Sequence, residues 1–401
     1  MQPLIIATKP PWPLVDGGRV LLWHTLAGLA SLGVRPTLVA PLDPSRHDVR
    51  EVAAALEAIC TPRLVAAPPA GVAATLAGSA FRGLPWTISR HALSAVRREV
   101  EALLSARRFD LVHAEQLQAL AQAAPAFARG LAIVLRAQNV ESDLWMGAAR
   151  LARAAGPLLR AEARRLAAWE GGAVRRTACT LALTGRDAAR LAALAGEDAA
   201  ARVRVLAAPF PGVLGPGPEP LDGAPPVVLL EGSGWLPNRE GARWFCGAVW
   251  PRVLAELPGA VLHRFGEASP GGVPRLVLHP PPPDSSAAFP PGAVLAVPLR
   301  VASGVRMKVL EAWARGVPVV GTPEALAGLE VRDGVEALLA TGAEDFAAAL
   351  ARLAREPALA AGLVAAGRAA LAARHDPARL ARELLEVYAT LRSSGSVPCP
   401  A

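Results

Sequence analysis

Residues 297–322 read VPLRVASGVRMKVLEAWARGVPVVGT, and the reading of this stretch decides the fold. An apolar run ends near Pro298. The small residues Val301-Ala302-Ser303-Gly304 follow, then a helical stretch from about Arg306 to Arg315. Gly316 stops that stretch, as glycine does just past a helix end, and a new apolar run starts at Val317. Strand, loop, helix, strand is the parallel βαβ unit.

The unit recurs on both sides. Upstream, strands are expected at Leu4 to Ala7, Pro36 to Ala40, Asp110 to His113, Leu131 to Leu135, Cys179 to Leu183 and Val203 to Leu206. Helical stretches such as Val20 to Leu32 and Ser94 to Ala106 separate them. Residues 208–226, APFPGVLGPGPEPLDGAPP, hold too much Pro and Gly for helix or strand and read as a linker. Beyond it, strands are expected at Val227 to Leu230, Val261 to Phe265, Leu276 to Leu278, Val294 to Val297 and Val317 to Val320, with helices at about 238–255, 307–315 and 344–355. The expectation is an α/β chain of two tandem Rossmann-like domains, 1–207 and 227–375, facing a cleft. Residues 376–401 supply a last helix, Pro377 to Leu391, that packs back on the first domain, and a tail. Open parallel sheets bind ligands beyond the carboxyl ends of their strands, so the loops after strands are where chemistry belongs.

Composition narrows the class. A hydrophobic content of 52% excludes a disordered chain, and no apolar stretch reaches the roughly 18 residues of a membrane-spanning helix. Met1 to Ile6 lacks a basic n-region and reads as a strand, so the expected location is cytoplasmic. The net charge of +8 suits phosphate-bearing partners. Its arginines are spread along Ala-rich helices, as in Arg150 to Arg176, which fits either a solvated face or a face docking peripherally on an anionic inner membrane surface. With no polybasic run interleaved with aromatics, no nucleic-acid partner is expected. Cys60, Cys179, Cys246 and Cys399 stand far apart and suggest neither zinc nor a disulfide framework.

In the opening stretch, a helix start near Arg306 presents unpaired N–H groups and partial positive charge, with Arg306 and Lys308 adding full cations. Cations there oppose the helix dipole, which points to an anion. Of 42 Lys plus Arg, only Lys9 and Lys308 are lysines, and each sits in or beside a loop after an expected strand. Glu311, within the first turns, can accept from two ribose hydroxyls or pair with Arg315 at i,i+4.

The segment resembles the group 1 nucleotide-sugar glycosyltransferases of GT-B fold. Glu311-Ala312-Trp313-Ala314-Arg315-Gly316-Val317-Pro318-Val319-Val320 follows their Glu-Ala-x-Ala-x-Gly-x-Pro-Val-Val run, after a loop and cations at Ser303, Gly304, Arg306 and Lys308. Gly321-Thr322 and Gly328-Leu329-Glu330 continue it. Gly232-Ser233-Gly234-Trp235 and Phe265-Gly266 resemble the loops after the first two strands of the donor domain. Pro10 to Gly18, with Gly17 and Gly18, resembles the loop after the chain's first strand, and Asp110 to His113 and Gln138 to Glu141 resemble acceptor-side loops.

The resemblance implies a nucleotide-sugar donor held by Gly17, Gly18, Gly234, Gly266, Ser303, Gly304 and Glu311. It also implies metal-free sugar transfer, retention at the anomeric carbon and no cofactor. The acceptor would be a glycan, a lipid-linked compound or a small molecule. Arg306 and Lys308 would stabilise the departing diphosphate. His113 is the candidate base, or else a structural imidazole. Asn139 and Glu141 either position an acceptor hydroxyl or cap a loop, and Asp16 is an N-cap candidate. Three positions depart from the family pattern. Ser303 stands where many members carry a second glutamate, Gln138 where relatives often have His, and Pro211-Gly212-Val213-Leu214 where Asn-Gly-Val-Asp is usual. These departures leave open a catalytically weak binding subunit, and the architecture also suits a nucleotide-sugar epimerase.

Overall fold

The computed structural model describes residues 1–152, 154–231, 236–266, 272–281 and 284–393. Two wholly parallel sheets follow each other along the chain. The first holds β1 (Pro3–Ile6), β2 (Thr37–Leu42), β3 (Thr61–Ala66), β4 (Leu111–Glu115), β5 (Ile133–Ala137), β6 (Cys179–Ala182) and β7 (Val203–Val205), in the order β3-β2-β1-β4-β5-β6-β7. The second holds β8 (Pro226–Leu230), β9 (Val261–Phe265), β10 (Leu276–His279), β11 (Val294–Val297), β12 (Val319–Gly321) and β13 (Leu338–Leu339), in the order β10-β9-β8-β11-β12-β13. In each sheet the order turns back beside the first strand, between β1 and β4 and between β8 and β11. These switch points open crevices at the carboxyl ends of the strands.

Sequence patterning explains the interior. Leu4, Ile5, Ile6, Val112 and Leu135 are fully or almost fully buried, as expected of strands covered on both faces. Two strands escape the sequence reading. β3 contains Pro62 and Arg63 and is half exposed, which an edge strand tolerates and a central one does not. β13 spans only two residues. The helix expected at 238–255 is interrupted by a π turn, Phe245–Val249. Pro251 explains this, because proline has no N–H to donate and its ring crowds the preceding turn.

The chain crosses between the sheets twice. It crosses once through 206–225, where no helix or strand forms, and again at His375, after which the helix Pro377–Ser393 lies on the first sheet's helix Gly17–Ser31. The crossings run side by side: Phe210 N–H donates to His375 O (2.8 Å), and His375 Nδ1–H donates to Ala208 O (2.8 Å). Among the described residues no helix is long and apolar enough to cross a membrane.

Candidate functional site

A cleft of about 700 Å³ lies between the sheets, at the carboxyl ends of their strands. Its second-domain wall carries Arg306, Met307, Lys308 and Glu311, and its first-domain wall carries Gly17, Gly18, Asn139 and Glu141. The helix Met307–Arg315 starts on this cleft, with Arg306 at its N-cap and no side-chain cap bond there. The helix Gly17–Ser31 starts on the same cleft, capped by Asp16, which accepts from Arg19 N–H (3.1 Å). A Cβ on Gly17 would stand 3.0 Å from Met307 Cγ. Two helix N-termini with their partial positive charge therefore converge on one space.

Burial perturbs both cations of the cleft, Lys308 and Arg306. Burial, reinforced by neighbouring Arg306 and partly offset by Glu231, lowers the pKa of Lys308 to about 8. Its Nζ donates to Leu230 O, at the end of β8. Burial also brings Arg306 down to about 10, against the pull of Asp187, and its guanidinium donates to Ser303 O. Neither cation has a carboxylate ion pair among the described residues, whereas the other lysine, Lys9, pairs with Asp16 at 2.7 Å. A partly buried ammonium without a counter-ion is poised for an anionic ligand.

Glu311 forms the expected ion pair while remaining at the cleft. It pairs with Arg315 (2.9 Å) and accepts from Ser285 Oγ (2.7 Å) while still lining the cleft. Asn139, its amide oriented to donate, reaches Gln138 O (3.1 Å) and Ser303 O (2.9 Å). Glu141 starts the helix Glu141–Leu151, and burial raises its pKa against hydrogen bonds from Gln118 and Asn139. Glu170, pushed up to about 8 chiefly by burial, accepts from Glu141 N–H (2.6 Å) and Ser142 N–H (3.3 Å) and so fixes that helix start.

Other expected residues lie elsewhere. His113 does not reach the cleft. It is fully buried in β4, with Nδ1 2.5 Å from Tyr388 Oη on the last helix, and burial lowers its pKa. This corrects its candidacy as a base: an imidazole sealed under the sheet touches no substrate. Ser303 and Gly304 face the first domain instead of the donor space. Ser303 Oγ donates to Asp187 (3.0 Å) and accepts from Val140 N–H (2.8 Å), and Gly304 N–H donates to Asp187 (3.0 Å). Gly304 has φ 72°, and a Cβ there would lie 2.2 Å from Gln138 O, so only glycine fits. Gly266 is not among the residues lining the cleft, and a Cβ there would stand 2.9 Å from Glu231 Cβ. Gly234, with Gly232 to Trp235, lies outside the described residues.

The sequence reading passed over three residues that matter here. Asp187 holds the Ser303 loop, and its signal was the capping pattern Thr184-x-x-Asp187 at the start of the helix Gly185–Ala195. Glu231 lines the cleft and pairs with Arg264, and its place just after β8 was a signal. Ser285 carried none. Beneath the first-domain wall, Gln138 accepts from Gln116 (2.9 Å) and donates to Glu115 (2.8 Å), where Arg136 forks onto the same carboxylate (Nε to both oxygens, 2.9 Å). Among the described residues no group of three or more His, Cys, Asp or Glu is placed to hold a metal ion.

The free-state pKa of Lys308 makes a pH dependence expected. A diphosphate ligand of this cleft should bind most tightly near neutral pH, where Nζ is charged, and weaken by up to about tenfold per unit above pH 8. Titration calorimetry from neutral to alkaline pH reads this directly. A flat profile would remove Lys308 from the anion site.

Comparison with known proteins now gives the geometry a context. Residues 225–356 match the family described as Glycosyl transferases group 1. No curated protein matches the chain by sequence. Among solved structures, a sucrose-phosphate synthase from Thermosynechococcus elongatus superposes with a TM-score of 0.71 at 16% identity, covering 98% of this chain and 100% of that one. HepE of Anabaena, in complex with UDP-glucose, gives 0.63 at 13% identity over 97% and 99% of the two chains. A TarM variant of S. aureus, in complex with fondaparinux, alpha-GlcNAc-glycerol and UDP, gives 0.68 at 8% over 97% and 100%. At such identities these structures establish the fold, and the family match establishes the second domain. The chain thus has the GT-B fold, and its residues 225–356 match a group 1 glycosyl transferase domain.

Proposed function

We propose that the chain moves a sugar from a nucleoside-diphosphate sugar to an acceptor hydroxyl, without a metal and with retention at the anomeric carbon. The observation that carries this reading is the uncapped helix start at Arg306 and Lys308, opening on the interdomain cleft beside a second helix N-terminus. As the glycosidic bond breaks, negative charge grows on the departing diphosphate. The Lys308 ammonium, the Arg306 guanidinium and the helix N–H groups are fixed in place to receive it. Glu311, held by Ser285 and Arg315, lines the cleft and would accept from the nucleoside hydroxyls. Asn139 and Glu141 line the first-domain wall of the same cleft and would orient an acceptor hydroxyl. Retention is the expectation carried by the group 1 resemblance.

The deciding experiment is a thermal-shift screen against uridine, guanosine and adenosine diphosphate sugars. A transfer assay with any stabilising donor follows, run with EDTA present, and the product's anomeric configuration is read by NMR. Stabilisation by a nucleotide sugar with EDTA-resistant turnover supports the reading. Donor binding without turnover on any acceptor supports a binding subunit instead. Glu311→Ala should raise donor KM about 10-fold to 100-fold with little change in kcat, the size of a lost charge-assisted hydrogen bond. An unchanged KM would limit Glu311 to its ion pair with Arg315.

A further inference from the structure

The helix Val72–Arg82, which follows edge strand β3, is inverted in its polarity. Its buried residues are two hydroxyl side chains. Thr75 Oγ1 donates to Ala70 O (3.3 Å), and Ser79 Oγ donates to Leu84 O (2.6 Å). Outward, from Val72 to Phe81, every exposed residue is apolar. Phe81 is 93% exposed and Val72 72%. A surface helix ordinarily turns its apolar stripe inward, so this arrangement marks a contact face.

The helix ends at a second feature. A cavity of about 210 Å³ opens there, with apolar walls from Leu93, Phe127 and Trp169 and three cations, Arg82, Arg97 and Arg176. Arg176 lies over the Phe127 and Trp169 rings, 5.6 and 5.4 Å from their centroids. Nearby arginines are neutralised, Arg129 by Glu101 and Arg165 by Glu162. Among the described residues, Arg82, Arg97 and Arg176 form no such pair.

We propose that this helix and cavity form a docking surface for an anionic lipid bilayer. The apolar residues enter the interface, and the three arginines pair with lipid phosphate. Apolar helix faces bordered by cations bind in this way, with affinity set by buried area and by attraction to anionic headgroups. Charge complementarity selects the occupant. A second copy in a two-fold pair would bring the same patch, with its unpaired arginines, to both sides of the contact, whereas lipid phosphate supplies the missing charge. The surface is also close to the cleft. One short helix, Trp86–His91, intervenes; its Thr87 Oγ1 accepts from Gln118 Nε2 (3.0 Å), and Gln118 hydrogen-bonds Glu141 in the cleft wall. Docking would hold a lipid-borne hydroxyl beside the acceptor wall. That extension rests on the sugar-transfer reading, while the docking itself does not.

Flotation of the full chain with vesicles tests it, using phosphatidylcholine alone or mixed equally with phosphatidylglycerol. The wild type should float with the phosphatidylglycerol mixture at low salt and much less with phosphatidylcholine alone. Leu76→Ser with Phe81→Ser should lower partitioning by about tenfold or more, from the apolar area lost. Arg82→Gln with Arg97→Gln should remove the preference for phosphatidylglycerol. Both pairs lie at the surface, and an unchanged melting curve checks their folding. Failure of the wild type to float, or a serine variant that floats equally well, overturns the proposal. So does a wild type that ignores vesicles but forms dimers that the serine variant dissolves. None of these readouts depends on sugar turnover, so failure here leaves the transfer reading standing.

Discussion

Replacing Lys308 with alanine is expected to lower kcat/KM for sugar transfer by about 10²- to 10³-fold, the cost of removing one preorganised donor aimed at developing charge. The melting temperature of the ligand-free protein should stay the same or rise by about a few degrees. These two effects share one cause. In the free enzyme Lys308 is held among Arg306, Leu230 O and the cleft wall, and its pKa is lowered to about 8, chiefly by burial. Its folded-state pKa lies below the ordinary 10.5, so the charged form is disfavoured by folding, and below pH 8 the protein bears that cost in full. A diphosphate reverses the balance by supplying the counter-charge. Alanine removes both the cost and the benefit, so stability and activity move in opposite directions. Steady-state kinetics and a melting curve on the same preparation check this. Full turnover by Lys308→Ala would reject the site, and a large loss of stability would show the residue to be structural instead.

The second large effect falls on folding. Arg136→Met should destabilise the first domain by about 3–5 kcal/mol, because it strands a buried carboxylate. Arg136 is 1% exposed and Glu115 2%. The guanidinium forks onto Glu115 and donates to Thr25 Oγ1 (2.8 Å). Burial pushes the Glu115 pKa up, but the Arg136 charge and the His113 bond outweigh it and hold the pKa at about 2. A depressed carboxylate stabilises the fold above its ordinary pKa of 4.5, and that stability is lost as pH falls toward 2. Denaturant unfolding should show the loss at neutral pH. The wild-type advantage should shrink in acid, as Glu115 becomes protonated in both proteins. Equal stability at neutral pH would mean that water or a rearranged side chain neutralises Glu115.

Much of the molecule was legible because its signals are local. Leu4 to Ala7 and Val294 to Val297 are short apolar runs followed by turn residues, and both form strands. β3 was not legible, because Pro62 and Arg63 break the apolar run, and an edge position that permits them is a property of the whole sheet. The helix start at Arg306 was legible from small residues leading into a periodic stretch. Its long-range contacts were not: the capping pattern marks Asp187 only as part of its own helix start, and its reach to Ser303 across 116 positions leaves no local spacing. His113 misled for the same reason. A histidine near the end of a strand fits a base or a core residue equally well, and the choice was made by Tyr388, 275 positions away.

The paired crossings at Ala208–Phe210 and His375 have a mechanical consequence. Two segments of chain bonded to each other tie the sheets together at one place, so neither crossing can shift without the other. A second tie joins the domains where Asp187 accepts from the backbone of Gly304 and the hydroxyl of Ser303. Any separation of the two walls at this place must break the bonds of Asp187, Val140 and Asn139 to the Ser303 loop together.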